Sequence, residues 1–178
     1  MFGSHKRQGR EAGLATRNTF SAVSMGTSLF DFDKGFQPTP QFLRHPYVLA
    51  FSTTTIGFMM KMVFKGENWA PLKKGEFVNE AVEEFSMNRL PQKEWLAIME
   101  GATQTGDFAK GKDHAEGVFF VTHGLISPNS MDPLVVRARE ATRNLPPPPN
   151  LATGMLWCTV REFLHETFPM RDPNAAPF

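Results

Sequence analysis

Between Tyr47 and Met60 the chain carries no charged residue, and this run, set within FLRHPYVLAFSTTTIGFMMKMVF at residues 42–64, constrains the fold more than any other feature. Laid on a helix, Thr53, Thr54, Gly57 and Lys61 recur at three- and four-residue steps and form a narrow small or polar stripe. The rest of the circumference is apolar, so such a helix must be buried on most sides, in protein or in lipid. Crossing a hydrocarbon core takes about 20 mainly apolar residues and no fewer than about 17. Tyr47 to Phe64 reaches that length only if Lys61 snorkels toward a headgroup region, with Arg44, Lys65 and Trp69 as interface anchors. Three consecutive threonines and a mean hydropathy of -0.29 favour instead the central helix of a soluble or peripheral domain. A single membrane span through Tyr47 to Phe64 is the competing expectation.

Helical signals continue downstream. In KKGEFVNEAVEEFSMN, Phe77, Val78, Ala81, Val82 and Phe85 share one face, while Glu76, Glu80, Glu83 and Glu84 fall largely on the other. A line of carboxylates without a nucleophile or a metal-binding His reads as a solvated face. LPQKEWLAIMEGA opens a helix with Pro91 at its first position and Trp95, Leu96, Ile98 and Met99 as its apolar part. Glycines at 101, 106, 111, 117 and 124 then weaken any continuous helix, but Phe108, Ala115, Phe119, Thr122 and Ile126 keep helical spacing, so a weak helix is the favoured reading, with GVFFVTHG, residues 117–124, as a candidate short strand. In MDPLVVRAREATRNL, Asp132 is the expected cap and Pro133 the preset first residue. PPPP must stop that helix, after which Asn150 caps a last one ended by Pro169. Trp95 and Trp157, on apolar faces, are expected to be buried.

These elements predict an all-α fold: an irregular bundle of about five or six helices over 39–168, with a basic, irregular N-terminal arm over 1–38 and a short C-terminal tail over 169–178. A chain of 178 residues with 41% hydrophobic content, 17 Phe and 10 Met can fill one core of that size. Nineteen basic against eighteen acidic residues give a net charge of +1, so no overall field attracts nucleic acid, and none is expected as a partner. Between Met1 and Phe30, Lys6, Arg7, Arg10 and Arg17 face only Glu11. The stretch reads as a solvated basic arm, or as an organelle-targeting segment, which would place the protein in a compartment such as the mitochondrion instead of the cytoplasm. Cys158 is the only cysteine, which rules out an intramolecular disulfide and a CxxC site and suits a reducing compartment.

Candidate sites are few. Glu162 and His165 stand three apart, the spacing by which helical di-metal proteins hold iron or manganese, but such a centre needs two pairs and two further inward Glu residues. The chain has one pair, so a surface ion-pair network is expected and no metal or cofactor. GDFAKGKD, residues 106–113, matches the start of a phosphate-binding loop, yet Asp113 stands where Ser or Thr would hold magnesium. Cys158 and His165 lack an orienting third group, so the thiol is expected to be packed and unreactive. Arg143, Leu145, Pro146 and Pro149 fit a polyproline ligand, although between two helices a rigid spacer is the simpler role. The leading expectation is a non-catalytic accessory or scaffold subunit that binds other protein subunits, with arm and tail along neighbouring chains. The alternative is a small helical enzyme or apolar-ligand carrier whose pocket is lined by Phe, Met and Trp, with Glu100, Asp113, His114 and His123 as its polar groups.

Overall fold

The computed structural model describes residues 4–144 and 150–170, and the chain within them is all-α apart from one two-stranded hairpin. Helix α1 (Ser4–Ser21) comes first, so the first part of the segment expected as an irregular arm is helical. Its last turn leads to strands β1 (Phe30–Asp31) and β2 (Gly35–Phe36), paired antiparallel with Phe30 opposite Phe36. Asp31 stabilises the connecting turn by accepting from the backbone N–H groups of Asp33 and Lys34 at 2.8 and 2.9 Å.

The apolar run is not one helix. Helix α2 (Pro40–Arg44) starts where the Thr39 hydroxyl accepts from Phe42 N at 3.2 Å, and it ends at His45, whose backbone is extended because Pro46 follows. Helix α3 (Pro46–Phe58) then uses that proline as its first residue and passes into a π-helical turn, Met59–Val63. Lys61, Met62 and Val63 are exposed there. Among the described residues no helix is long and apolar enough to cross a membrane, which corrects the alternative of a span through Tyr47 to Phe64. Thr53 is exposed, and the Gly57 Cα has no neighbour within reach of an added methyl, so the small and polar stripe borders open space.

Helices α4 (Pro71–Ser86), α5 (Gln92–Ala102), α6 (Gly106–Thr122) and α7 (Pro133–Thr142) follow. The candidate strand at 117–124 is corrected: it is mostly the C-terminal part of α6, with His123 just beyond the helix end. Asp132 caps α7 as expected, accepting from Leu134 N and Val135 N. Asn150 caps α8 (Leu151–Leu156) through Thr153 N at 2.8 Å. That helix continues through a π turn, Trp157–Arg161, into α9 (Glu162–Thr167).

The chain divides into two compact units. The first runs to Asn18 and resumes over Pro38–Phe119. Its core holds Phe42, Tyr47, Phe51, Phe77, Phe85 and Trp95, with Phe85 6.4 Å from Phe42 and edge-on to Trp95 at 5.8 Å between ring centres. Fully burying a side chain of this kind contributes about 1.5–3 kcal/mol. The second unit comprises Thr19–Gln37 and the chain from Phe120 onward. Helix α7 packs on α8 so closely that a methyl group on Gly154 would strike the Ala138 carbonyl. Met155, Val160 and Leu164 are buried, whereas Trp157 is only half-buried, with Arg161 over its ring at 4.8 Å. Pro169 and Met170, expected in a loose tail, are fixed in place: Ser28 N donates to the Pro169 carbonyl at 2.9 Å, and Thr27 pairs with Met170.

Candidate functional site

The acidic side of α4 meets the basic side of α1. His5 and Lys6 both reach Glu76, Arg10 donates to Glu80 at 2.6 Å, and Arg17 pairs with Glu84 at 2.9 Å while also donating to the Glu84 carbonyl. The acids step by four along α4, and the two helices run in the same direction, Gly9 lying on the Phe77 carbonyl and Gly13 on the Ala81 carbonyl. The row of glutamates expected to be a solvated face is therefore an ionic seam. Hydrogen bonding to Glu80, then its charge, holds the Arg10 guanidinium above its usual pKa. Arg7, by contrast, pairs only with Glu11 on its own helix, 3.4 Å away.

A second polar group surrounds the start of α3. Tyr47, fully buried, makes a hydrogen bond of 3.0 Å between its hydroxyl and His114 Nδ1 and stacks on Phe51. His45 Nδ1 accepts from Tyr47 N at 3.3 Å, and His45 Nε2 lies 3.9 Å from Asp107. Asp107, Gly111 and His114 fall on one face of α6, and Gly111 sits against the Tyr47 carbonyl. These contacts cap α3 and fix α6 against it. The stretch 106–113 is thus the first part of a helix and not a phosphate-binding loop.

In the second unit Glu162 pairs with Arg137 at 2.6 Å. His165 does not join that pair. Its Nε2 is buried without a hydrogen-bond partner among the described residues, and burial, then the Arg161 charge, lowers its pKa. No group of three or more metal-ligating side chains occurs among the described residues. Cys158 is buried, and burial pushes its thiol pKa up, as a packed and unreactive thiol requires.

Of the polar groups assigned to a pocket, Glu100 and Asp113 are exposed and His114 is engaged with Tyr47 in the first unit, and His123 is exposed in the second. None of them lines the groove of about 570 Å³ bordered by Lys6, Pro71, Leu72, Glu76, Asn79 and Gln92, or the smaller one of about 250 Å³ beside Arg10 and Asn88. Arg143 is exposed at the C-cap of α7. Leu145, Pro146 and Pro149 lie outside the described residues.

Sequence reasoning missed the seam. Its signal was available: Gly9 and Gly13 four apart, bases at 6, 10 and 17, and acids at 76, 80 and 84. No family model matches the chain, and neither curated proteins nor solved structures yield a significant match.

Proposed function

We propose that the chain is a non-catalytic accessory or scaffold subunit that binds other protein subunits in a larger assembly. The observation that carries this reading is the set of exposed large apolar side chains on the second unit. Phe32, at the tip of the β1–β2 hairpin, is 73% exposed and rests edge-on against Phe30 at 5.6 Å. Met25 and Met170 are also exposed, carried on adjoining segments by the pairing of Thr27 with Met170. An exposed aromatic anchor and exposed flexible thioethers are residue types by which protein surfaces are recognised. The ionisable residues support the reading too, because the acids of α4 hold α1, Tyr47 and His114 lock α3 to α6, and Glu162 ties α9 to α7.

The test is the native mass of the protein in extract from its own cells, measured by size-exclusion chromatography with light scattering. The expected result is a species well above the 20.0 kDa of the chain, shifted toward monomer by Phe32→Ser combined with Met25→Ser. A free monomer for the unaltered chain would overturn the proposal.

A further inference from the structure

The segment 61–74, KMVFKGENWAPLKK, joins the π turn to the start of α4. Lys61, Lys65 and Lys73 are exposed and Lys74 is half-buried, and none of the four makes an ion pair among the described residues. This contrasts with α1, whose Lys6, Arg10 and Arg17 are held by Glu76, Glu80 and Glu84. Glu67 is the only acid in the segment. Interleaved with the lysines are exposed apolar tips: Met62, Val63 and, at 76% exposure, Leu72. Trp69 is half-buried at the base of the turn, packed on Gly66, edge-on to Phe77 at 5.7 Å and facing His5 at 6.3 Å. Lys65 adopts a left-handed conformation, φ 55°, between the π turn and a short 3-10 turn, Gly66–Asn68.

We infer that this segment docks the protein on the surface of an anionic lipid bilayer, the lysines meeting headgroup phosphates and carboxylates while Met62, Val63 and Leu72 enter the acyl boundary. Four lysines against the single Glu67 supply the attraction, worth about fivefold in partition for each lysine near an anionic surface. The apolar tips supply the second signal that stable peripheral attachment needs. A fluid acyl boundary suits this segment better than an acidic protein does, because the exposed apolar tips alternate with lysines along the chain and each can enter the acyl boundary separately. The site is in the first unit and is independent of the surface around Phe32.

The experiment is co-sedimentation of the full chain with vesicles of pure phosphatidylcholine and with vesicles that also contain phosphatidylserine. Binding is expected only to the second, and it should weaken steeply as salt rises past physiological strength. Changing Lys61, Lys65, Lys73 and Lys74 together to Gln is expected to lower partition at least about a hundredfold. Leu72→Ser with Met62→Ser lowers it without altering the salt slope. All six positions are at least partly exposed, and circular dichroism checks that the variants fold. In a chain with Trp95→Phe and Trp157→Phe, Trp69 emission should shift to the blue on vesicle binding, a readout that needs no lysine variant. No binding of the unaltered chain to phosphatidylserine vesicles at low salt would overturn the inference. So would saturable binding of polyglutamate without vesicle binding, which would assign the lysines to an acidic protein partner.

Discussion

His45 caps α3 only while its Nδ1 is free to accept the Tyr47 N–H, since a doubly protonated ring has no acceptor. Burial lowers its folded pKa, with the Asp107 charge opposing the shift. The unfolded chain titrates near about pH 6.5. The neutral ring therefore contributes stability that is present above about pH 6.5 and is lost as pH falls through the lowered folded value. His165, lowered by burial and by Arg161, adds a loss of the same sign. Asn at position 45 keeps a capping acceptor without the titration. The thermal midpoint of the unaltered protein is expected to drop more between about pH 7 and pH 5 than that of His45→Asn. Equal drops would remove His45 from the acid response. Two glycines give a contrast at the same scale. Gly→Ala within a helix normally gains up to about 1 kcal/mol from propensity, and Gly57→Ala, with no atom within 4 Å of the added methyl, should gain something near it. Gly13→Ala should instead lose about 1–3 kcal/mol, because the methyl meets the Ala81 carbonyl, which is backbone, and would lie 2.9 Å from the Glu84 Cβ. Urea midpoints of the two variants decide between propensity and close approach.

The element that packing decides most completely is α1. Its sequence, SHKRQGREAGLATRNTFS, has few apolar residues, and its Ser, Thr and Gly content argues locally for a solvated arm. It folds as a helix against α4 because Ala12 is buried with Phe77 and Ala81 while its bases meet acids some seventy residues away. Pairs of this kind are individually weak, about 0.2–1 kcal/mol when exposed. Arg17 and Glu84 have side chains only 22% and 31% exposed and share an additional bond to backbone, so their double-mutant coupling should exceed that of Arg7 and Glu11, which are 78% and 53% exposed on one helix. Equal couplings would mean that the seam is held by Gly9, Gly13 and Ala12 alone. The same distinction explains what was legible in the sequence. The caps at Asp132 and Asn150, the buried face of α4 and the all-α class rest on residues close together in the chain, and they could be read from it. The break at Pro46 is also local, but the uncharged run around it has the periodicity of a single helix. Helix α6 is legible in the spacing of Phe108, Ala115, Phe119 and Thr122, while the cost of its glycines is offset where Gly111 lets the Tyr47 backbone approach, a contact with no local signal. The π turns after Phe58 and Leu156 likewise have no pattern of their own. The four polar residues assigned to a pocket were grouped by residue type, and type alone says nothing about convergence.

At the scale of the whole molecule, the chain passes between the two units after Asn18, Gln37 and Phe119. Two of those passages lie inside regular helices, since α1 continues to Ser21 and α6 to Thr122. Both helices begin in the first unit and end in the second, so unfolding either unit must fray them, and interrupting a helix forfeits its cooperative hydrogen bonding. The units are expected to unfold together despite their separate cores. Each contains a reporter. Trp95, buried against Phe85, marks the first unit, and the buried Cys158 marks the second. With the thiol pKa pushed up by burial, Cys158 should react with a disulfide reagent only when the second unit opens. In a urea series, followed by Trp95 fluorescence in a chain with Trp69→Phe and Trp157→Phe, the midpoint of fluorescence change should coincide with the concentration at which Cys158 becomes reactive. If the thiol reacts at lower urea while Trp95 remains in its native environment, the second unit opens on its own. The continuity of α1 and α6 would then be too weak to couple the two cores.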